Sequence, residues 1–270
     1  MKRQMTKYRI VPGMILVLLA VVLTFAQQLQ STKKQYQPNG GEGSVAGTVS
    51  LLGTPSGPFR IDMSSDPACY QANAHPLTED LVVSKGRLAN VLIYVKSSSA
   101  LEGLSFETPT ANVVLDQRGC RYLPHVLGLQ VNQTLEVRNS DNTTQNVHAK
   151  PKNNLDWNQT QFASSEPLTH RFTHSEIAIP FKNNQHPWAK AYVGVFAHPF
   201  FAVSNRQGAF TMEGLPPGNY TIGAWHEGFD EKTFDVTIHP GSRQSLDIKF
   251  DMANRRVSPL WFQDKGPFSH

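Results

Sequence analysis

From Val45 to Phe250 apolar residues recur at every second position or in short unbroken runs, and no window carries a sustained i, i+3, i+4, i+7 apolar stripe with caps. A period of two places alternate side chains on one face of a pleated strand, so such a body buries itself as sheets and not as helices. Val45 to Leu51 alternates, and Leu88 to Lys96 is a β-branched run long enough for a buried strand. Val113 to Leu115, Gly128 to Val131 and Thr134 to Asn139 read as further strands. Gly, Pro, Asn and Asp clusters separate these short elements, which predicts an all-β chain built as a Greek-key sandwich and not as a parallel α/β sheet. Residues 151–175, rich in Asn, Gln, Ser and His, read as a long loop crossing between sheets, pinned to the core by Phe162 and Phe172.

The N-terminus has a basic stretch, Lys2, Arg3, Lys7 and Arg9, followed by an apolar segment that ends at Ala26. Its uninterrupted core, Met14 to Ala26, is 13 residues, shorter than the roughly 20 that a spanning helix needs. Residues 1–26 are therefore expected to be a signal peptide or a membrane anchor, and either places the body in the periplasm or outside the cell. Membrane contact is expected only through this segment. Those four cations account for the whole formal charge of +4, since the remaining 21 Lys and Arg face 21 Asp and Glu. A neutral body offers no broad electrostatic footprint, which sets nucleic acid aside as a partner. Residues 27–44 are polar and Gly-containing and read as a linker. Cys69 and Cys120 suit an oxidising compartment and are expected to form a disulfide worth about 4 kcal/mol in the chain-entropy model, the alternative being two buried thiols; a metal pair is disfavoured because neither has a second Cys or His two to four residues away.

In the last third, Asn205, Gly208, Phe210, Leu215, Pro216, Pro217, Gly218, Tyr220 and Ile222 give the pattern N-x-x-G-x-F-x-x-x-x-L-P-P-G-x-Y-x-I. Gly208 supplies the positive φ of a hairpin turn, Phe210 and Leu215 point inward, and Pro216-Pro217-Gly218 turns the chain into the strand Tyr220 to Ala224. The pattern resembles carboxypeptidase-regulatory-like and rhamnogalacturonan-lyase-like β-domains. That implies a small prealbumin-like sandwich and says little about activity, because such modules serve many roles.

Upstream, Ile179 to Tyr192 reads I-P-F-K-N-N-Q-H-P-W-A-K-A-Y, and Gln145 to His148 reads Q-N-V-H. These stretches are similar to the ligand loops of bacterial cupredoxin-like proteins of the amicyanin and methylamine-utilisation kind, which carry C-x-x-H-x-x-M and H-N-V. By that resemblance His186 keeps its place, whereas Gln145, Asn183 and Ala189 stand at the other His, the Cys and the Met. A blue-copper centre depends on thiolate covalency, which a carboxamide cannot supply. The resemblance thus implies a degenerate blue-copper site and no cofactor. The resulting division is a cupredoxin-like domain over 45–192, a carboxypeptidase-regulatory-like domain over 193–251 and a tail over 252–270. Gly47-Thr48-Val49 and Ala89-Asn90-Val91 also look like opening strands of the second fold, which would make the first an insertion.

A metal site remains the alternative, copper or else zinc, held by His148 and His186 with His125 or His198, although His148 lies three positions from Gln145 and faces the other side of the pleat. There is no H-E-x-x-H, G-x-S-x-G, Walker loop or G-x-G-x-x-G, and Trp225-His226-Glu227 lacks a paired nucleophile, so no enzyme is expected. The expected role is binding or scaffolding at the cell envelope, with an envelope protein or polysaccharide as partner. A carbohydrate-binding module stacking sugars on Trp188, Trp225 or Tyr220 is the other alternative.

Overall fold

The computed structural model describes residues 33–55 and 57–256. The expected signal peptide or anchor, the first part of the linker, and Val257 to His270 of the tail, with Trp261 and Phe262, lie outside the described residues.

The first stretch forms β1 (Lys34–Gln35), β2 (Gly43–Leu52), helix α1 (Pro67–Ala72), β3 (Val83–Ser84), β4 (Arg87–Leu88), β5 (Leu92–Ser97) and β6 (Leu104–Ser105). The middle forms β7 (Val113–Gln117), β8 (Tyr122–Leu123), β9 (Val126–Gln130), β10 (Leu135–Asn139), β11 (Gln145–Ala149), β12 (Trp157–Gln161), β13 (Leu168–His170), β14 (Glu176–Lys182) and β15 (Lys190–Phe196). The last part forms β16 (Phe201–Val203), β17 (Ala209–Leu215), β18 (Gly218–Trp225), β19 (Lys232–Ile238), β20 (Arg243–Ser245) and β21 (Ile248–Asp251).

The all-β architecture follows the period-two pattern, but the chain is shared between the sandwiches differently from a cut at residue 193. Strand β2 pairs antiparallel with β17 and parallel with β20 and β21, and β5 lies between β16 and β18 in the sheet β16-β5-β18-β19. The strands before residue 98 and after residue 200 therefore close one sandwich around Val49, Ile93, Phe210, Leu215, Ile222 and Phe250. Residues 113–196 form a second sandwich, β13-β10-β7-β8 against β12-β11-β14-β15-β9, around Leu129, Leu135, Val147, Ile179, Phe181 and Val193. Strand pairing thus makes the second sandwich an insertion into the first, and 193–196 and 45–97 change sides relative to the cut.

Strands β5 and β15 are apolar on both faces because the sandwiches pack on one another. Ile93 and Val95 face one core and Ala191, Val193 and Val195 the other, while Leu92, Tyr94, Tyr192 and Phe196 meet between them with Val126 and the half-buried Phe201 and Trp225. The sheets come close because Gly128 and Gly194 carry no side chain there. A Cβ at Gly194 would lie 2.7 Å from Leu92 Cδ2, and one at Gly128 would lie 2.5 Å from Phe201 Cδ2.

Several local expectations change. Residues 151–175 are not one loop, since β12 and β13 run along sheet edges; Phe172 is buried, but Phe162 is 67% exposed and pins nothing. The linker contributes β1, which pairs with β6, and the first two residues of β2, Gly43 and Ser44. At the start of the tail, Arg255 reaches Asp80 at 2.6 Å. A short helix, α1, interrupts the all-β body: Asp66 caps it by accepting from the Ala68 and Cys69 amides, and Pro67 opens it.

Candidate functional site

Strand β14 delivers Asn183 to a tight loop that returns as β15. The Asn183 side-chain oxygen accepts from the backbone N–H groups of Gln185 (2.8 Å) and His186 (3.0 Å), and the Ala189 N–H closes the loop on the His186 carbonyl at 2.8 Å. Asn suits this position because its side chain can bond to the backbone two residues on. The turn aims His186 inward at the first residue of β11. There Gln145 Oε1 accepts from Asn183 Nδ2 at 2.6 Å and lies 2.8 Å from His186 Nδ1. The Gln145 amide nitrogen donates to Asp141 Oδ2 at 2.8 Å, which fixes its oxygen toward the histidine and makes Nδ1 the donor. Gln145, Asn183, His186 and Ala189 are all buried and belong to one cluster.

The lid over this cluster comes from the segment carrying α1. Cys69 and Cys120 form a disulfide, and Cys69 Sγ lies 3.4 Å from His186 Nε2. Asp66 Oδ2 lies 3.0 Å from the same nitrogen and accepts from Thr143 Oγ1 at 2.8 Å. Burial would raise the Asp66 pKa, but the bonds to Thr143, His186 and the Cys69 and Ala68 amides outweigh it and hold the carboxyl below its ordinary value. Asp141 moves the other way: desolvation raises it and is only partly offset by the Cys120 and Gly119 amides. Trp188 covers the bridge, its indole N–H donating to the Cys120 carbonyl at 2.9 Å.

The two histidines expected as metal ligands do not share this cluster. His148 faces away from Gln145, as the pleat requires, with Nδ1 3.2 Å from Asn184 Oδ1 and Nε2 3.3 Å from Asp156. Among the described residues the donors gathered closely enough to hold a metal ion are Cys69, Cys120 and His186, all within 4.8 Å. Gln145, Asn183, His186 and Ala189 offer one imidazole, two carboxamides and a methyl group, and both carboxamides are engaged in hydrogen bonds. This donor set does not fit type 1 copper. His198 Nε2 lies 3.1 Å from the Val95 carbonyl, and burial lowers its pKa. As for stacking, Trp188 and Trp225 are half-buried, packing on His186 (centroids 5.3 Å) and Tyr192 (4.9 Å), and Tyr220 is buried with its hydroxyl on the Pro216 carbonyl.

A second polar cluster lies between the sandwiches. His125 Nε2 lies 2.5 Å from Glu227 Oε1, while Lys190 Nζ and the Tyr192 hydroxyl each reach Glu227 Oε2 at 3.0 Å. Desolvation would raise Glu227, but the contacts with His125 and Lys190 outweigh it and hold the carboxyl far below its ordinary range. Beside it, His226 is buried, its Nδ1 accepting from the Gly228 N–H at 3.0 Å, and desolvation pushes its pKa down to about 4. Sequence reasoning noticed the Trp225-His226-Glu227 triplet but not its partners, which sit on the other sandwich. It also missed Asp66, for which the Asp-Pro pair before Cys69 was the available signal of a helix start.

Residues 182–251 match the model of the carboxypeptidase regulatory-like domain. The match begins at the end of β14 and omits β2 and β5, which the sheets assign to the same sandwich. No curated protein matches the chain. Among solved structures the chain is similar to a Cu-containing nitrite reductase from Thermus scotoductus SA-01, at 17% identity over 38% of this chain and 27% of that one, with TM-score 0.30. It is also similar to amicyanin from Paracoccus versutus, at 17% identity over 38% of this chain and 96% of that one, with TM-score 0.29. A purple cupredoxin from Nitrosopumilus maritimus gives 19% identity over 32% of this chain and 98% of that one, with TM-score 0.27.

Proposed function

We propose that the chain is an exported, non-enzymatic binding or scaffold protein of the cell envelope, in which a blue-copper position has become a metal-free structural strut. The observation that carries this reading is the state of Gln145: its oxygen serves both Asn183 and His186, and its nitrogen serves Asp141. Buried carboxamides engaged on both ends rigidify a site and leave no lone pair directed at an ion. The basic, then apolar N-terminus and the disulfide favour an extracytoplasmic location. Among the described residues no helix is long and apolar enough to cross a membrane.

The test is metal analysis of the oxidised protein purified without chelator, together with crosslinking in intact cells. The reading expects no stoichiometric copper and a stable envelope partner. Stoichiometric copper that disappears in His186→Ala would overturn it in favour of a histidine-ligated copper protein.

A further inference from the structure

The arrangement around the disulfide has a property that a merely structural bridge does not need. His186 is held with its Nδ1–H on Gln145 Oε1, and its other nitrogen points at Cys69 Sγ, 3.4 Å away. A metal-bound imidazole ordinarily donates its remote N–H to such an oxygen, which fixes both the ring and the tautomer. In a tetrahedral site with zinc–sulfur bonds near 2.3 Å and zinc–nitrogen bonds near 2.0–2.1 Å, sulfur and nitrogen ligands stand about 3.5 Å apart. The observed separation of Cys69 Sγ and His186 Nε2 already has that value. Cys120 Sγ lies within 4.8 Å of both ligand atoms and is 3.6 Å from the Gln145 amide nitrogen, a donor suited to a sulfur anion. Gln145 is thereby placed to orient the imidazole through its oxygen and to stabilise a thiolate through its nitrogen.

We propose that Cys69, Cys120 and His186 form a redox-gated site for a thiophilic divalent cation of the zinc kind, closed as the disulfide and open as the dithiol. Opening breaks the Sγ–Sγ bond: a dithiol reductant supplies two electrons and two protons, leaves two Cys thiols and is itself oxidised to a disulfide. Binding then exchanges the two thiol protons, together with the proton held between His186 Nε2 and Asp66 Oδ2, for the cation, which takes both thiolates and His186 Nε2. Asp66 Oδ2, 3.0 Å from that nitrogen, adjoins the fourth position. The sulfurs need to separate to about 3.8 Å for tetrahedral coordination. Cys69 lies on α1, which belongs to no sheet, so this separation requires no change in strand pairing. The inference stands apart from the scaffold reading, which concerns the oxidised chain.

The experiment uses the full exported body, reduced with a phosphine, desalted without oxygen and titrated with Co²⁺ as the probe. The expected result is one Co²⁺ per chain with a thiolate-to-cobalt charge-transfer band, displaced by Zn²⁺ and absent from the oxidised chain. Cys120→Ser should abolish the band, and His186→Ala should weaken binding by at least about tenfold. Gln145→Ala should weaken it about 10–100-fold, the range found when a group orienting a metal ligand is removed. Absence of the band in a reduced chain that keeps its near-ultraviolet circular dichroism overturns the proposal. So does a reduced chain that loses that signal and does not regain it with cobalt, or a band of unchanged affinity in His186→Ala.

Discussion

Cys69 Sγ and His186 Nε2 meet at 3.4 Å across 117 residues of sequence, one from a six-residue helix and the other from the loop between β14 and β15. The contact closes the end of the inserted sandwich over the buried His186 ring. Burial there removes water from Gln145, Asn183 and Asp141 together, so each must find its partners within the cluster.

Gln145→Leu should therefore destabilise the protein more than an ordinary core substitution of similar volume. It leaves Asp141 Oδ2, Asn183 Nδ2 and His186 Nδ1 each without a partner they now have. Unsatisfied buried polar groups are worth about 1–3 kcal/mol apiece, and partial relaxation points to a loss of about 3 kcal/mol, read from urea unfolding at unchanged slope.

The double substitution of Cys69 and Cys120 by Ala removes a cross-link between positions 51 apart. The expected loss is about 2–5 kcal/mol. Limited proteolysis should then cut first between residues 60 and 80, because Asp66, with its bonds to Thr143 and His186, becomes the main tie of α1 to the inserted sandwich. Cleavage elsewhere with 60–80 intact would show that this segment docks independently of the bridge.

Local chemistry made part of this molecule legible in its sequence. Gly208 has φ +70°, and Phe210 and Leu215 are buried, because a hairpin turn and its flanking period of two span only a few residues. Asn183, His186 and Gln145 could be grouped because their spacing resembles a known ligand loop. What stayed hidden was non-local or polar. The pairing of β2 with β20 and β21 links positions about 200 apart: Gly47-Thr48-Val49 looks like an opening strand of the second fold, but nothing in it names the strands it pairs with. Strands β12 and β13 escaped notice because an edge strand half in water shows little apolar alternation, with Trp157, Gln161 and Leu168 as its main anchors. Glu227 and His125 are 102 residues apart, and each reads as a loop polar residue until the sandwiches meet.

Gly194→Ala tests whether the sandwiches are one cooperative unit. Its methyl would meet Leu92 Cδ2 at 2.7 Å and Phe196 Cε2 at 2.7 Å, and both neighbours are buried in the contact between the sheets. Overpacking of this sort is worth about 1–3 kcal/mol. If the sandwiches unfold together, calorimetry should show one transition moved to lower temperature. Two transitions, only one of them moved, would mean that the contact between the sheets does not couple them.

Acid should destabilise the protein, and the sign follows from His226, whose ring packs on Phe229 and Phe250. Its folded-state pKa is about 4 against an ordinary 6.5, mainly through desolvation. Between those values the unfolded chain takes up a proton that the folded chain refuses, so stability rises with pH across that window. The contribution is complete above pH 6.5 and is lost progressively down to about pH 4, with a total of roughly 3 kcal/mol. Glu227, held below its ordinary range chiefly against its own desolvation by His125 and Lys190, acts further down. Its contribution is present above the unfolded value of 4.5 and declines as pH falls below it. Urea midpoints measured from pH 7.5 to 4.5 should fall steadily below pH 6.5, and His226→Gln should flatten that slope, because a neutral amide has no proton to take up. A slope unchanged by His226→Gln would assign the acid sensitivity to other groups.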